Sequence, residues 1–143
     1  MTPRQISIIK QSWRIFMKIN PVIVGGLFYD KLFHDHPDVQ KLFSNSKEEQ
    51  AKKLIEMINV VIMRLDKLDE LTEDIRQLAI RHVAYGTKTE HYSAVGSALI
   101  WTLEKGLGQD WKPELAEAWT LCYTTLANVM IEAAENHTQN TKK

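Results

Sequence analysis

A single cysteine, Cys122, stands among 143 residues. That excludes an internal disulfide framework and a cysteine-rich zinc site, and it suits a reducing compartment. An excess of charge of either sign is missing too, because 18 Lys and Arg balance 18 Asp and Glu. A neutral chain has no electrostatic footprint for nucleic acid or for anionic lipid. No apolar run approaches the roughly 20 residues of a membrane-spanning helix. A signal peptide would need a continuous apolar stretch near the start, and Lys10, Arg14 and Lys18 interrupt it. Six glycines and four prolines set no strand-and-hairpin rhythm. A phosphate-binding glycine loop, a dinucleotide fingerprint and a His-Glu-x-x-His zinc helix are absent as well. The expectation is one cytoplasmic globular domain, without nucleic-acid or membrane partners and large enough to bury a core without staples.

What is present reads as helices from end to end. Thr2 as cap, Pro3 at the first helical position and Gln5 reaching back form a capping box. Ile6, Ile9, Trp13 and Phe16 then share one face. Asn20-Pro21 breaks that helix and opens a second, with Val24, Leu27, Phe28 and Leu32 expected inward. His36-Pro37 ends the second helix, and residues 37–43 make a short helical turn. Ser46 with Glu49 is another capping box, opening a helix whose stripe is Leu54, Met57, Ile58, Val61 and Leu65. A charged turn leads to a shorter helix bearing Leu71, Ile75, Leu78 and His82, which Gly86 ends. Tyr92, Val95 and Leu99 face inward on the next helix, expected to stop at Gly106 and Gly108. Pro113 begins the last helix, with Leu115, Trp119, Tyr123, Leu126 and Met130. The pattern predicts an all-α domain of about six long helices over residues 1–134 and a polar, fraying tail over 135–143.

Few residues stand out chemically. Cys122 falls on an inner face and reads as a small buried hydrophobe. His34-Asp35-His36 reads as a solvated helix end, although a metal clamp is the competing reading. Glu48-Glu49 and Asp69-Glu70 lie near helix N-termini, where carboxylates favour the macrodipole. Gly25 and Gly26 sit inside a helix, where each costs about 0.8–1 kcal/mol against alanine, so either a second backbone crosses closely there or the irregularity is tolerated. His82 continues an apolar stripe, and the pattern leaves it open between a satisfied core histidine and a ligand. Gln50 and Tyr29 are two further polar residues on apolar faces. Together the three suggest a polar pocket inside an apolar one, the arrangement of a cofactor site.

The run Leu27-Phe28-Tyr29-Asp30-Lys31-Leu32-Phe33, with His36-Pro37 and Leu42-Phe43, resembles the second helix and corner of a globin. Arg81-His82-Val83-Ala84-Tyr85-Gly86 and His91-Tyr92-Ser93-Ala94-Val95-Gly96 resemble the haem-iron segment of bacterial single-domain haemoglobins, flavohaemoglobin globin domains and neuroglobin-like proteins. Trp119 to Tyr123 resembles their final helix. The likeness runs from about Thr2 to Ala134, in order.

That resemblance implies a globin fold around a haem b group, with His82 as the proximal iron ligand. It implies Gln50, 32 residues earlier, at the distal position and Tyr29 as the distal tyrosine. Phe43 matches the phenylalanine stacked on the haem, and Leu54 and Val95 match the apolar lid. Lys53 matches a propionate partner, with a solvated lysine as the alternative. The Leu78 carbonyl, one turn before His82, is in reach of the imidazole N–H that a metal-bound histidine must place. Tyr92 matches a tyrosine that polarises the proximal histidine, but Ala134 stands where the family's glutamate is expected. The implied function is reversible binding of dioxygen, nitric oxide or carbon monoxide. The competing readings are a nitric oxide dioxygenase or peroxidase-like enzyme served by a separate reductase, and a haem-based gas or redox sensor. Whether Tyr29 or Lys53 takes the sixth iron position without an external ligand stays open.

Overall fold

Six α-helices follow one another: α1 (Pro3–Phe16), α2 (Pro21–Asp35), α3 (Lys47–Met63), α4 (Thr72–Ala84), α5 (Thr89–Leu107) and α6 (Pro113–Thr141). Short 3-10 turns at Pro37–Leu42, Leu65–Leu71 and Gly108–Asp110 join them. The structure, a computed structural model, describes residues 1–43 and 46–141, and no strand occurs among them. Nor is any helix among these residues long and apolar enough to cross a membrane.

Local chemistry starts the helices where expected. The Thr2 hydroxyl accepts from the Gln5 N–H at 3.1 Å while Gln5 Oε1 accepts from the Thr2 N–H at 2.9 Å, a complete capping box. Asn20 caps α2 through the Val22 N–H, and Ser46 caps α3 through the Glu49 N–H. α6 runs on through Glu135 to Thr141, so the polar residues expected as a fraying tail continue the last helix. No glycine or proline interrupts it there, and Thr138 Oγ1 donates to the Ala134 carbonyl one turn back. Lys142 and Lys143, the end of that segment, lie outside the described residues.

Packing divides the interior into two clusters. One joins α1, α3, α5 and α6 around Ile9, Trp13, Phe16, Ile62, Leu103 and Trp119. Its polar atoms are paired: Trp119 Nε1 donates to Ser12 Oγ at 2.9 Å, and Trp13 Nε1 donates to Asn59 Oδ1 at 3.0 Å. The second joins α2 and α5 around Phe28, Tyr29, Leu32, Val39, Ala94 and Ala98. Leu54 and Leu99 pack against both.

Two faces are rotated from the periodic reading. The buried stripe of α3 is Ala51, Ile55, Ile58 and Ile62, whereas Met57 is exposed and Leu54 and Val61 are only partly buried. Leu27 on α2 is likewise exposed, not inward. A backbone crossing accounts for both. A Cβ added to Gly25 would lie 2.1 Å from the Ala51 Cβ, so α2 and α3 meet along that pair and turn their neighbours outward. α5 ends between Gly106 and Gly108 as expected, but Gly106, in the last helical turn, also serves packing. A side chain there would collide with the Phe16 ring at 2.6 Å, and the helix stops at Gly108, where φ is +54°.

The crossing separates two adjacent glycines sharply, since a Cβ on Gly26 would meet only Lys47 Cε, at 4.0 Å. Gly25→Leu should lower the unfolding free energy by about 1–3 kcal/mol or more through overpacking. Gly26→Ala should raise it by about 0.5–1 kcal/mol through lost chain entropy. Urea unfolding of the two variants checks this, and a wild-type midpoint for Gly25→Leu would show that the helices do not depend on the contact.

Candidate functional site

Tyr29 lies one turn after Gly25 on α2, and Gln50 immediately precedes Ala51 on α3, so the helix crossing brings the two together. The Tyr29 hydroxyl donates to the Gln50 backbone carbonyl at 3.3 Å. That is long for an O–H···O bond, so the hydroxyl is held loosely. The Tyr29 ring is 4% exposed, and burial pushes its phenol up to about 12. It therefore keeps its proton, and its capacity to donate, at every physiological pH.

Tyr29 packs edge-on against Phe43 at 5.3 Å and tilts against Phe33 at 5.7 Å. These three rings and Gln50 form one wall of a half-open cleft of about 430 Å³, completed by Asp30, His34, Gln40 and Lys47. Lys47 and Asp30 form an ion pair across it. Gln40 and Lys47 escaped the sequence reading, Asp30 and Phe33 entered it only within the globin-like run, and His34 only as a solvated helix end or metal clamp. The available signal was spacing: Phe33 is four residues after Tyr29, and Lys47 three before Gln50.

His82 lies on α4, and its ring is half-buried. Its Nδ1 is 2.7 Å from the Leu78 carbonyl oxygen, one helical turn earlier. A carbonyl can only accept, so Nδ1 carries the proton and Nε2 keeps its lone pair. Burial lowers the His82 pKa, outweighing the opposing bond to Leu78, which favours the neutral imidazole. The ring also meets the Tyr85 ring edge-on at 5.8 Å. His82 is not in the wall of the cleft that holds Tyr29 and Gln50.

The remaining candidates fall around these two centres. Leu54 and Val95 are partly buried against the Tyr29 cluster. Tyr92 is buried at the start of α5, and its backbone carbonyl accepts from the Tyr123 hydroxyl at 2.5 Å. Lys53 is exposed on α3. Ala134 is partly buried and Glu135 exposed, so the carboxylate one residue on does not fill the family's glutamate position. Cys122 is buried with its thiol pushed up to about 12 by desolvation, which keeps it protonated and unreactive. His34 is exposed and 3.2 Å from Asp35, and the described residues hold no group of His, Cys, Asp and Glu side chains able to cage a metal.

An all-α fold whose second and third helices cross at a glycine, with a metal-competent histidine on the fourth, defines a class of helical cofactor-binding proteins. The globin family model matches residues 26–130, and the chain belongs to the globin family. A globin-like protein of Aquifex aeolicus is 33% identical over 108 residues, which are 76% of this chain and 76% of that protein. The Bacillus subtilis flavohemoprotein is 28% identical over 131 residues, 90% of this chain and 33% of the relative. The chain thus spans about a third of the length of the flavohemoproteins it matches. The structure of a bacterial globin from Campylobacter jejuni superposes with a TM-score of 0.84 at 28% identity, covering 96% of this chain and 99% of that one.

The buried phenol has a consequence for alkaline stability. Between pH 10 and about 12 an unfolded chain has lost the Tyr29 proton while the folded chain retains it. The unfolded state then binds fewer protons, so stability falls as pH rises through that window, by at most about 1.4 kcal/mol per pH unit. Tyr29→Phe should show a shallower decline than wild type in urea titrations across this range. Parallel declines would mean that Tyr29 titrates normally.

Proposed function

We propose that the chain carries haem b and reversibly binds dioxygen, nitric oxide or carbon monoxide, with His82 as the proximal ligand. The observation that carries this reading is the 2.7 Å contact of His82 Nδ1 with the Leu78 carbonyl. It fixes ring and tautomer and leaves Nε2 as a neutral nitrogen donor, which is the donor chemistry an iron porphyrin requires. When bound, haem supplies reversible coordination of a diatomic molecule, with negative charge gathering on that ligand.

The chain's own residues do the rest. Tyr29 Oη keeps its proton and can turn from the Gln50 carbonyl towards an acceptor, and the Gln50 side-chain amide is a second donor. Phe43, Leu54 and Val95 are the apolar groups that exclude water from the same region. Lys53, exposed on the outer side of α3, is the candidate partner for a propionate. Tyr92, near the start of α5, is the candidate tyrosine for the His82 side.

An enzyme reading, nitric oxide dioxygenase or peroxide consumption with electrons from a separate reductase, draws on the likeness to flavohemoproteins. Ala134 weighs against a strong version of it. Without the carboxylate, the proximal imidazole loses the polarising partner implied by the resemblance, so reversible binding is preferred.

Absorption spectra of the ferric, ferrous and ferrous-CO forms test the cofactor directly. His82→Ala should lose haem or hold it loosely, and added imidazole should restore a low-spin spectrum. An unchanged ferrous-CO spectrum in that variant, or a larger effect from His91→Ala, would overturn the proximal assignment.

The donor assignment makes a separate prediction. Hydrogen bonds to a charged acceptor contribute about 1.5–3 kcal/mol, equivalent to roughly a ten- to hundredfold change in affinity. Tyr29→Phe should therefore release dioxygen faster by about that factor, and Gln50→Leu by less. Carbon monoxide, less polar when bound, should hardly respond. Equal acceleration of both gases would indicate an opened pocket and not a lost donor.

A further inference from the structure

The cleft beside Tyr29 and Gln50 has a built character of its own. It lies between the C-terminal half of α2, the Pro37–Leu42 turn and the first turn of α3. Its floor is three mutually packed rings, Tyr29, Phe33 and Phe43, with centroids 5.3 to 5.7 Å apart. Its rim is polar, and there the Lys47 ammonium on α3 pairs with the Asp30 carboxylate on α2. Both side chains are about half in solvent, at 48% and 65% exposure, so the pair spans the mouth and not the floor.

Size and chemistry restrict what such a space serves. At about 430 Å³ the cleft is far larger than a diatomic molecule, given that a water occupies about 30 Å³ of the liquid. It is therefore a vestibule and not a close-fitting seat. Its uncharged aromatic floor suits a small molecule without charge. Opposite charges paired at the rim offer an ion no net attraction. At its inner wall stand Tyr29 and Gln50, the two donors that the proposed function assigns to the ligand.

Resting on that reading, we infer that uncharged diatomic ligands reach Tyr29 and Gln50 through this cleft, and that the Asp30–Lys47 ion pair latches its mouth. An exposed ion pair is weak and parts readily, and salt screens it. The latch is therefore salt-sensitive although its cargo carries no charge.

Carbon monoxide rebinding after flash photolysis of the haem-loaded chain tests this, because salt cannot steer a neutral ligand. The wild-type bimolecular rate should rise at least about threefold between roughly 10 mM and 1 M NaCl as the pair is screened. Lys47→Met and Asp30→Asn should be fast at low salt and insensitive to it. A latch changes association and dissociation by the same factor, so carbon monoxide affinity should stay constant in both variants. Gln40→Trp, which narrows the mouth, should slow both rates together. In crystals of the haem-loaded chain under xenon pressure, the gas should lodge against Phe33 and Phe43. A salt-independent wild-type rate with Lys47→Met at the same value, an altered affinity, or xenon only elsewhere would overturn the route. Failure to take up haem or carbon monoxide at all would instead overturn the proposed function.

Discussion

Everything around Tyr29 and Gln50 depends on two backbones touching. With hydrogen at position 25 and a methyl at position 51, α2 and α3 approach closer than any larger pair of side chains permits. The contact does more than hold two helices. Tyr29 is one turn along α2 from it and Gln50 one residue before it on α3, so the hydroxyl of one reaches the carbonyl of the other. Asp30 and Lys47, slightly farther from the crossing, meet for the same reason. A wider crossing would separate all four groups at once.

Desolvation sets the proton inventory of the interior. It lowers His82, raises Tyr29 and raises Cys122, and in each case the neutral form is favoured. The three outcomes serve different ends: a free nitrogen lone pair, a retained donor proton and a silent thiol. The ion pairs, by contrast, lie among side chains that solvent reaches, such as Arg4 with Glu114 and Arg76 with Glu73. They add little to stability. The fold rests on its apolar contacts and paired indoles.

Much of this was legible from residues alone where the relevant physics is local. The caps at Thr2 and Ser46 and the breaks at Pro21 and Pro37 depend on neighbours a few positions away, and the helices begin where these signals stand. The Leu78–His82 contact is also local, one turn along a single helix. Rotation of a helix about its axis is not local. Met57 and Leu27 read as inward because apolar residues cover a wide arc, and only the crossing at Gly25 decides which part of that arc is buried. The packing role of Gly106 was not legible because its partner, Phe16, is 90 residues away in the chain. The Asp30–Lys47 pair was not legible for the same reason, since nothing in either helix alone names the other.

Leu54 and Leu99 each pack against both hydrophobic clusters. Their position means that the interior has no internal seam. One side of each leucine belongs to the aromatic region around Tyr29, and the other to the tryptophan-rich region under α1 and α6. Loosening the first region strips contacts from side chains that the second also uses. The two halves of the interior thus share side chains, and Trp13 and Trp119 belong to the same continuous packing as Phe28 and Tyr29.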